Sequence, residues 1–392
     1  MSDRKYKPGK HFLQLPGPSN VPDRILNAMC YPTIDHRGPE FSELALKCLS
    51  GIKTIFKTKN PVIIFPASGT GAWEAALVNT LNDGDNVLMV ETGHFASLWN
   101  SMAKKLGLQV ELLKTDWRQG LDPNEIEKKL KLDVDKKIKA VCIVHNETST
   151  GCTSDVKAVR EILDNLNHDA LLMVDTISGL ASIDFEHDEW GVDITISGSQ
   201  KGLMLPPGLS FNAISEKAIN ASKKSTLKKS YWDWDEHLEF NKTGFFPYTP
   251  ATNLLFGLKE AIDMLHEEGL TNVFKRHARY SKATRIAVKT WGLEVYCQND
   301  QRFSDVLTAV LVPENKDADQ LRKIILENFN MSLGNGLSKL KGKVFRIGHL
   351  GDFNDISLLG ILSGIEMGLD LMQIPIKEAG VEKAREYLKE NL

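Results

Sequence analysis

The sequence predicts an α/β fold: a large domain on a mostly parallel sheet, followed by a smaller C-terminal α/β domain. Three observations carry this. Between residues 61 and 213, short apolar runs alternate with segments of helical spacing, the pattern of repeated βαβ units covered on both faces. Residues 171–174 and 192–196 are strand-like and end in polar residues, where a parallel strand opens into a loop. After two long amphipathic segments, 251–266 and 271–291, the alternation resumes. At roughly 150 residues per domain, 392 residues exceed one core. The expected division is an arm at 1–20, a large domain at 21–265 and a small domain at 266–392.

In order, LPGPSNVP in the arm is too rich in Pro and Gly for regular helix. Residues 23–29 form a short helix, and YPTIDHRGPEF a loop. Leu44, Leu46, Leu49, Ile52 and Ile55 give 41–56 a broad apolar helical face. Residues 61–65 form a strand running into Pro66-Ala67-Ser68-Gly69-Thr70-Gly71 and a helix at 72–81. Strand, small-residue loop and helix N-terminus hold anions through backbone N–H groups and the helix dipole. Ser68 and Thr70 add hydroxyls, and the spacing is not that of a nucleotide P-loop. A turn at 82–85 and a strand at 86–90 precede Glu91-Thr92-Gly93-His94-Phe95, which opens the next helix. Strand 108–113, helix 122–130 and strand 140–144 follow. His145 reads as a hydrogen-bonded histidine at that strand's end. Ser154 is expected to cap a helix to about 166.

Strand 171–174 ends in Asp175, and 192–196 in Ser197-Gly198-Ser199-Gln200-Lys201. Pro206-Pro207-Gly208 turns the chain back at 209–213, and 215–227 is helical. Residues 231–248 are dense in aromatics and without clear period, a composition common where subunits meet. Gly269 separates the two long helices and Gly292 stops the second. Elements at 306–312, 318–329 and 344–347 and helices at 355–372 and 376–389 complete the chain.

A net charge of −3 argues against a dedicated nucleic-acid binder. Lys223-Lys224 and Lys228-Lys229 read as a solvated helix face. The five cysteines lack a Cys-x-x-Cys pair, which suits reduced thiols better than disulfides or a zinc site. The N-terminus has no apolar signal core, and no run approaches the roughly 18 apolar residues of a membrane span. A soluble cytoplasmic protein with no membrane partner is expected.

In open α/β sheets, ligands bind beyond the carboxyl ends of the strands. An acid and a lysine at two such ends suit pyridoxal 5'-phosphate, which is held through a lysine and needs an acid to keep its ring nitrogen protonated. Arg346, in the apolar run Val344-Phe345-Arg346-Ile347, is costly unless paired, and its planar fork fits a carboxylate.

LPGPSNVP, FPASGTGAWEAALVNTL, IVHNETSTG, VDTISGLASIDFEHDEWGVD, SGSQKGLMLPPGL, YTP and KVFRIGHLG occur in that order across nearly the whole chain. Together they resemble the class V aminotransferases. The resemblance implies a fold-type I pyridoxal 5'-phosphate enzyme working as a homodimer with shared sites. Lys201 and Asp175 would be catalytic. Ser68, Gly69, Thr70 and Gln200 would hold the cofactor phosphate, Phe95 and Ile177 the two faces of its ring, and Thr148 another polar contact. Tyr248 and Thr249 would touch the phosphate in the neighbouring subunit. The Gly17 backbone would lie near the substrate carboxylate; from the residues themselves, Arg346 is the candidate to bind that carboxylate and Arg37, a polar oddity in its loop, an anion-binding residue near the entrance. The implied reaction moves an amino group from a small L-amino acid, L-serine foremost, to glyoxylate, with L-alanine and L-aspartate as rival donors. A carbon–sulfur lyase or desulfurase recruiting Cys297, and a non-catalytic cofactor-binding module, are the alternatives.

Overall fold

A computed structural model describes residues 8–392; residues 1–7 of the expected arm lie outside them. Seven strands form one sheet in the spatial order Val62–Phe65, Ser210–Ile214, Ile194–Gly198, Leu171–Asp175, Ile138–Val144, Asn86–Glu91 and Gln109–Lys114. All run parallel except Ser210–Ile214. That strand is reversed because the turn at 206–208 returns the chain directly, pairing Ser210 with Gly198. Leu171–Asp175 and Ile194–Gly198 are buried along their whole lengths, as parallel strands covered on both faces must be. Asp175 pairs with Ile196, so the acid and the loop carrying Lys201 leave the same edge of neighbouring strands.

The Gly69–Thr80 helix lies on this sheet through Ala72, Trp73, Ala75 and Ala76. Its small residues let the helix axis approach the strands closely. Its first turn begins at Gly69, three residues before the expected start, so Ser68 is its N-cap.

A second, five-stranded sheet runs Phe12–Gln14, Met331–Asn335, Val344–Gly348, Leu307–Leu311 and Glu294–Val295. Trp291, Phe345, Ile365 and Leu369 anchor its core. Three of its strands, Phe12–Gln14, Glu294–Val295 and Met331–Asn335, were not foreseen. Phe12–Gln14, within the expected arm, pairs in parallel with Met331–Asn335. The helices Thr252–Glu268 and Leu270–Trp291 meet at Gly269, whose φ is +82°.

Several local expectations need correction. The aromatic stretch contains a helix, Trp234–Asn241, capped by Asp233. The helix expected over 215–227 stops at Ser222, and the last helix starts at Gly380 rather than 376. Asp155, not Ser154, caps the Val156–Asn165 helix, accepting from Ala158 N at 3.0 Å. The Ser154 hydroxyl instead donates to Val144 O, because the preceding residue lies too far back to meet the orphan N–H groups of the first turn. Among the described residues, no helix is long and apolar enough to cross a membrane.

The tightest joint between the N-terminal segment and the second sheet is Gly348. A methyl group there would collide with the Leu15 carbonyl, and Gly348 O accepts from Gln14 Nε2 at 2.7 Å. Gly348→Ala is expected to lower stability by about 1–3 kcal/mol and to speed proteolysis within the first twenty residues. Denaturant titration and limited proteolysis check this; an unchanged cleavage rate would mean that the segment is held elsewhere.

Candidate active site

Gly17, Ser68, Gly69, Thr70, Phe95, Thr148, Asp175, Ile177, Gln200 and Lys201 line one cavity of about 260 Å³ at the carboxyl edge of the large sheet. A groove of about 920 Å³ between residues 363–374 and 375–381 is larger. Its half-buried acid, Glu366, is already used by the Trp291 indole and the Gly380 and Val381 amides. The smaller cavity is the chemically equipped one.

Lys201 is 7% exposed and Asp175 3% exposed. Lys201 Nζ donates to Pro16 O at 2.5 Å. The lysine loop is clamped from the same side: Ser19 N donates to Gln200 O, and Ser19 Oγ to Lys201 O. Gly17, with φ +109°, lies directly against the lysine, and a methyl there would overlap its end carbons and Nζ. Ala181 and Met204 flank the loop with φ +59°, strained for residues with a Cβ. Gly202 admits the Leu180 carbonyl where a methyl would block it. The turn after Asp175 and the turn after Lys201 are therefore packed as one unit.

Asp175 Oδ1 accepts from Ile177 N at 2.6 Å, and Oδ2 from Trp73 Nε1 at 3.0 Å. Burial pushes its carboxyl up to about 7; the Ile177 amide opposes this and the charge of Glu147 adds to it. Burial pulls the Lys201 amine down to about 7, with Arg346 acting in the same direction and Asp175 against it. Arg346 is buried beside the cavity, donating to Asn335 O and Thr148 O at 2.8 Å each. Burial lowers its guanidinium to about 10, against the charge of Glu147.

The phosphate-type end is open to a ligand. Ser68 makes no side-chain cap bond, and the first N–H groups of a helix have no intrahelical partner. Among the described residues, the buried Gln200 Oε1 has no hydrogen-bond partner. Gly69 lets the Ile177 side chain approach the helix start, since a methyl there would push Ile177 aside.

The remaining candidates lie apart. Arg37 is exposed on the 33–38 loop, Tyr248 is half-buried and Thr249 is exposed; none lines the cavity. Tyr248 stacks on Tyr231 at 4.7 Å. Asn253 ties this region to the other loop by donating to Met29 O and Tyr31 O. His145 is buried against Phe185 and Trp190, and its Nδ1 has no partner. The expectation of a fully hydrogen-bonded histidine therefore fails: burial holds its pKa down at about 4, so the neutral ring is packed as an aromatic. Sequence reasoning missed Trp73 and Asn146, which also line the cavity. Trp73 had a signal, a large aromatic one turn into the helix after the anion loop. Asn146 had none beyond its neighbours.

The two shifted groups act on stability with opposite signs. Folded Lys201 holds its proton more weakly than the ordinary value of 10.5, so between about pH 7 and 10 the unfolded chain binds more protons and stability rises with pH. Folded Asp175 holds its proton more tightly than the ordinary 3.8, so its contribution falls as pH climbs from about 4 to about 7. In the unliganded protein, Lys201→Met is expected to raise the melting temperature by roughly 2 °C or more at pH 7. The gain should shrink toward pH 10. Thermal unfolding across that range checks it; a gain independent of pH would contradict the assignment.

The family described as Aminotransferase class-V matches residues 12–337. The serine–glyoxylate aminotransferase of Arabidopsis thaliana is 45% identical over 393 residues, covering 100% of this chain and 98% of that protein. The L-aspartate–glyoxylate aminotransferase of Paracoccus denitrificans is 40% identical, covering 96% of each. The crystal structure of ureidoglycine–glyoxylate aminotransferase from Bacillus subtilis superposes with a TM-score of 0.90 at 26% identity, covering 98% of this chain and 100% of that one. The architecture is the fold-type I arrangement of such enzymes, and on the extent of these matches the chain belongs to the class V aminotransferases.

Proposed function

We propose that this aminotransferase uses pyridoxal 5'-phosphate to move an amino group from L-serine to glyoxylate, giving hydroxypyruvate and glycine. The observation that carries the reading is Lys201 and Asp175 facing one cavity from neighbouring strand ends. The residues present fit the cofactor. Asp175, with a lone pair left on each oxygen, suits a protonated ring nitrogen. Phe95 and Ile177 suit the ring faces, and Thr148 another polar group on the ring. Ser68, Gly69, Thr70 and the unpartnered Gln200 suit the phosphate. When bound, the cofactor supplies an electron sink that makes the α-proton of an amino acid removable.

Lys201 Nζ, whose burial favours the neutral amine, takes the proton from the donor's Cα. With glyoxylate in place it delivers one to the carbon that becomes the Cα of glycine. Arg346 binds the carboxylate of either substrate with its planar fork. Gly17 and Pro18 line one side of the cavity, held there by the bonds of Pro16 and Ser19 to Lys201.

The relative of this chain that uses aspartate keeps L-aspartate as the rival donor, beside L-alanine. A desulfurase that recruits Cys297 would need that thiol accessible. Cys297 is 2% exposed and bonded to the Asn299 and Arg302 carbonyls.

The working unit is proposed to be a homodimer in a cytoplasmic setting. Exposed Tyr31, Leu46, Tyr231 and Phe240 border the region holding Arg37, Tyr248 and Thr249. An apolar surface of that kind marks an interface. Tyr248 and Thr249 then serve the partner's phosphate site, and Arg37 its entrance.

Steady-state rates with serine, alanine and aspartate against glyoxylate test the donor. Serine is expected to lead, and a higher kcat/KM for aspartate would overturn the choice. Lys201→Ala should abolish multiple turnover, while Asp175→Asn should slow proton abstraction at least a hundredfold, about 2.7 kcal/mol. For the shared site, Lys201→Ala subunits mixed with subunits altered at both Tyr248 and Thr249 should regain activity, because one site of the heterodimer then carries neither lesion. Mixtures as inactive as either parent would argue for self-contained sites.

A further inference from the structure

Glu147 has no role in the reaction as described above, yet it is a fully buried acid beside it. It lies on the short Asn146–Glu147 strand, hairpinned to Cys152–Thr153. All its partners are donors. Oε1 accepts from Ser149 Oγ at 2.6 Å, Ser149 N at 3.0 Å and Phe95 N at 3.4 Å, and Oε2 accepts from Ala96 N at 3.1 Å. A carboxylate has about four lone-pair sites, so these contacts hold it in a single orientation. Two of the donors are first-turn amides of the His94–Lys105 helix, where a negative charge is favoured. Ser149 Oγ is itself fixed by accepting from His94 N at 2.9 Å. Gly93 admits the acid, since a methyl there would collide with Glu147 Cγ and Cδ.

Arg346 has the complementary peculiarity. Its hydrogen bonds go to neutral carbonyls, those of Asn335 and Thr148. Among the described residues it makes no ion pair within 4.0 Å. The charge of Glu147 is nevertheless felt at the guanidinium and favours its charged form. Arg346 is anchored on the carbonyl of Thr148, the residue next to Glu147, while the Glu147 carboxylate stays on its own four donors.

We propose that Glu147 is a positioning residue: a fixed counter-charge that stabilises the Arg346 guanidinium without pairing with it, leaving the fork open for a substrate carboxylate. This rests on the reading of Arg346 as the carboxylate site. It has a consequence that a purely structural hairpin acid lacks, because removing the charge and releasing the tether change carboxylate binding in opposite directions. Without its charge, Glu147 no longer offsets the positive field at the fork. Untethered but still charged, it competes with the substrate for Arg346.

The test is calorimetric titration of the holoenzyme with glycolate, which has glyoxylate's carboxylate and an alcohol in place of the aldehyde. Glu147→Gln is expected to tighten glycolate at least threefold, and Ser149→Ala to weaken it at least threefold. Asp122→Ala removes the cap of the Pro123–Leu132 helix and should leave the dissociation constant unchanged while lowering stability. Glu147→Gln and Ser149→Ala shifting binding the same way, or neither shifting it, would overturn the proposal. Should Glu147→Gln fail to fold, the crystal structure of Ser149→Ala decides. Glu147 in ion-pair contact with Arg346 supports the proposal, and an unmoved Glu147 overturns it. Arg346→Lys separates the two readings. Native enzyme binding glycolate no tighter than Arg346→Lys would remove the arginine assignment and this proposal with it. Arg346-dependent binding with same-sign effects at Glu147 and Ser149 would remove only the counter-charge.

Discussion

The site depends on holding three ionisable side chains, Asp175, Lys201 and Arg346, out of water without an ion pair among them. A buried charge left alone costs several kcal/mol. Here each is met by neutral dipoles instead: Lys201 by the Pro16 carbonyl, Asp175 by the Ile177 amide and the Trp73 indole, Arg346 by the Asn335 and Thr148 carbonyls. Dipoles of that kind satisfy hydrogen-bonding capacity but do not cancel charge. Desolvation accordingly dominates all three shifted pKa values. The arrangement is poor for stability and suited to a ligand that brings the missing charges, which is the usual trade at a site.

The same constraint explains why the two sheets are tied so closely. Lys201 protrudes from the large sheet, but its pose is set by residues 16–19, and that segment leaves a strand of the second sheet. Arg346 sits on a strand of the second sheet, but one of its two carbonyl anchors, Thr148 O, belongs to the hairpin following a large-sheet strand. Lys201 and Arg346 therefore each borrow an anchor from across the boundary, whereas Asp175 is held within the large-sheet unit. Gly17, Gly348 and Gly334 mark the crossings, because at each a methyl group would meet the opposing chain or Arg346 itself.

The parts of this that were legible in the sequence are those written in hydrophobic pattern. Apolar runs ending in Asp175 and before Lys201 located the large sheet and its functional edge, and the small-residue loop at 66–71 located the helix start to within three residues. Elements whose stability is mostly tertiary were missed. Met331–Asn335 carries Ser332, Gly334 and Asn335 and reads as a loop until it pairs with Phe12–Gln14 and Val344–Gly348. Trp234–Asn241 lacks a clean apolar stripe, and Trp234 is buried in the apolar core of the large sheet, its backbone N and Nε1 donating to Asn79 and Asn212. Glu147 stood in a quoted motif without an assigned role, because what gives it meaning, the amides of Phe95 and Ala96, lies some fifty residues away in the chain. Periodicity reports which face is buried; it does not report which dipoles meet there.

On the proposed reaction, the choice of donor falls outside this set of charges. Every α-amino acid brings the same carboxylate, and glyoxylate brings one too, so Arg346 contributes equally to all of them and cannot discriminate. Asp175 and Lys201 act on the ring nitrogen and on Cα, which all donors also share. What remains is the wall facing the side chain. A serine hydroxyl asks of that wall one hydrogen-bond partner, whereas an aspartate asks for a second cation, and a buried carboxylate without one is strongly disfavoured. The cavity lining supplies hydroxyls and amides at Ser68, Thr70, Asn146, Thr148 and Gln200, and no cation besides Lys201. Arg37 is outside it in the same chain. A preference for serine over aspartate then follows from what the chain places in its own cavity, and aspartate activity would require a second cation from outside that lining.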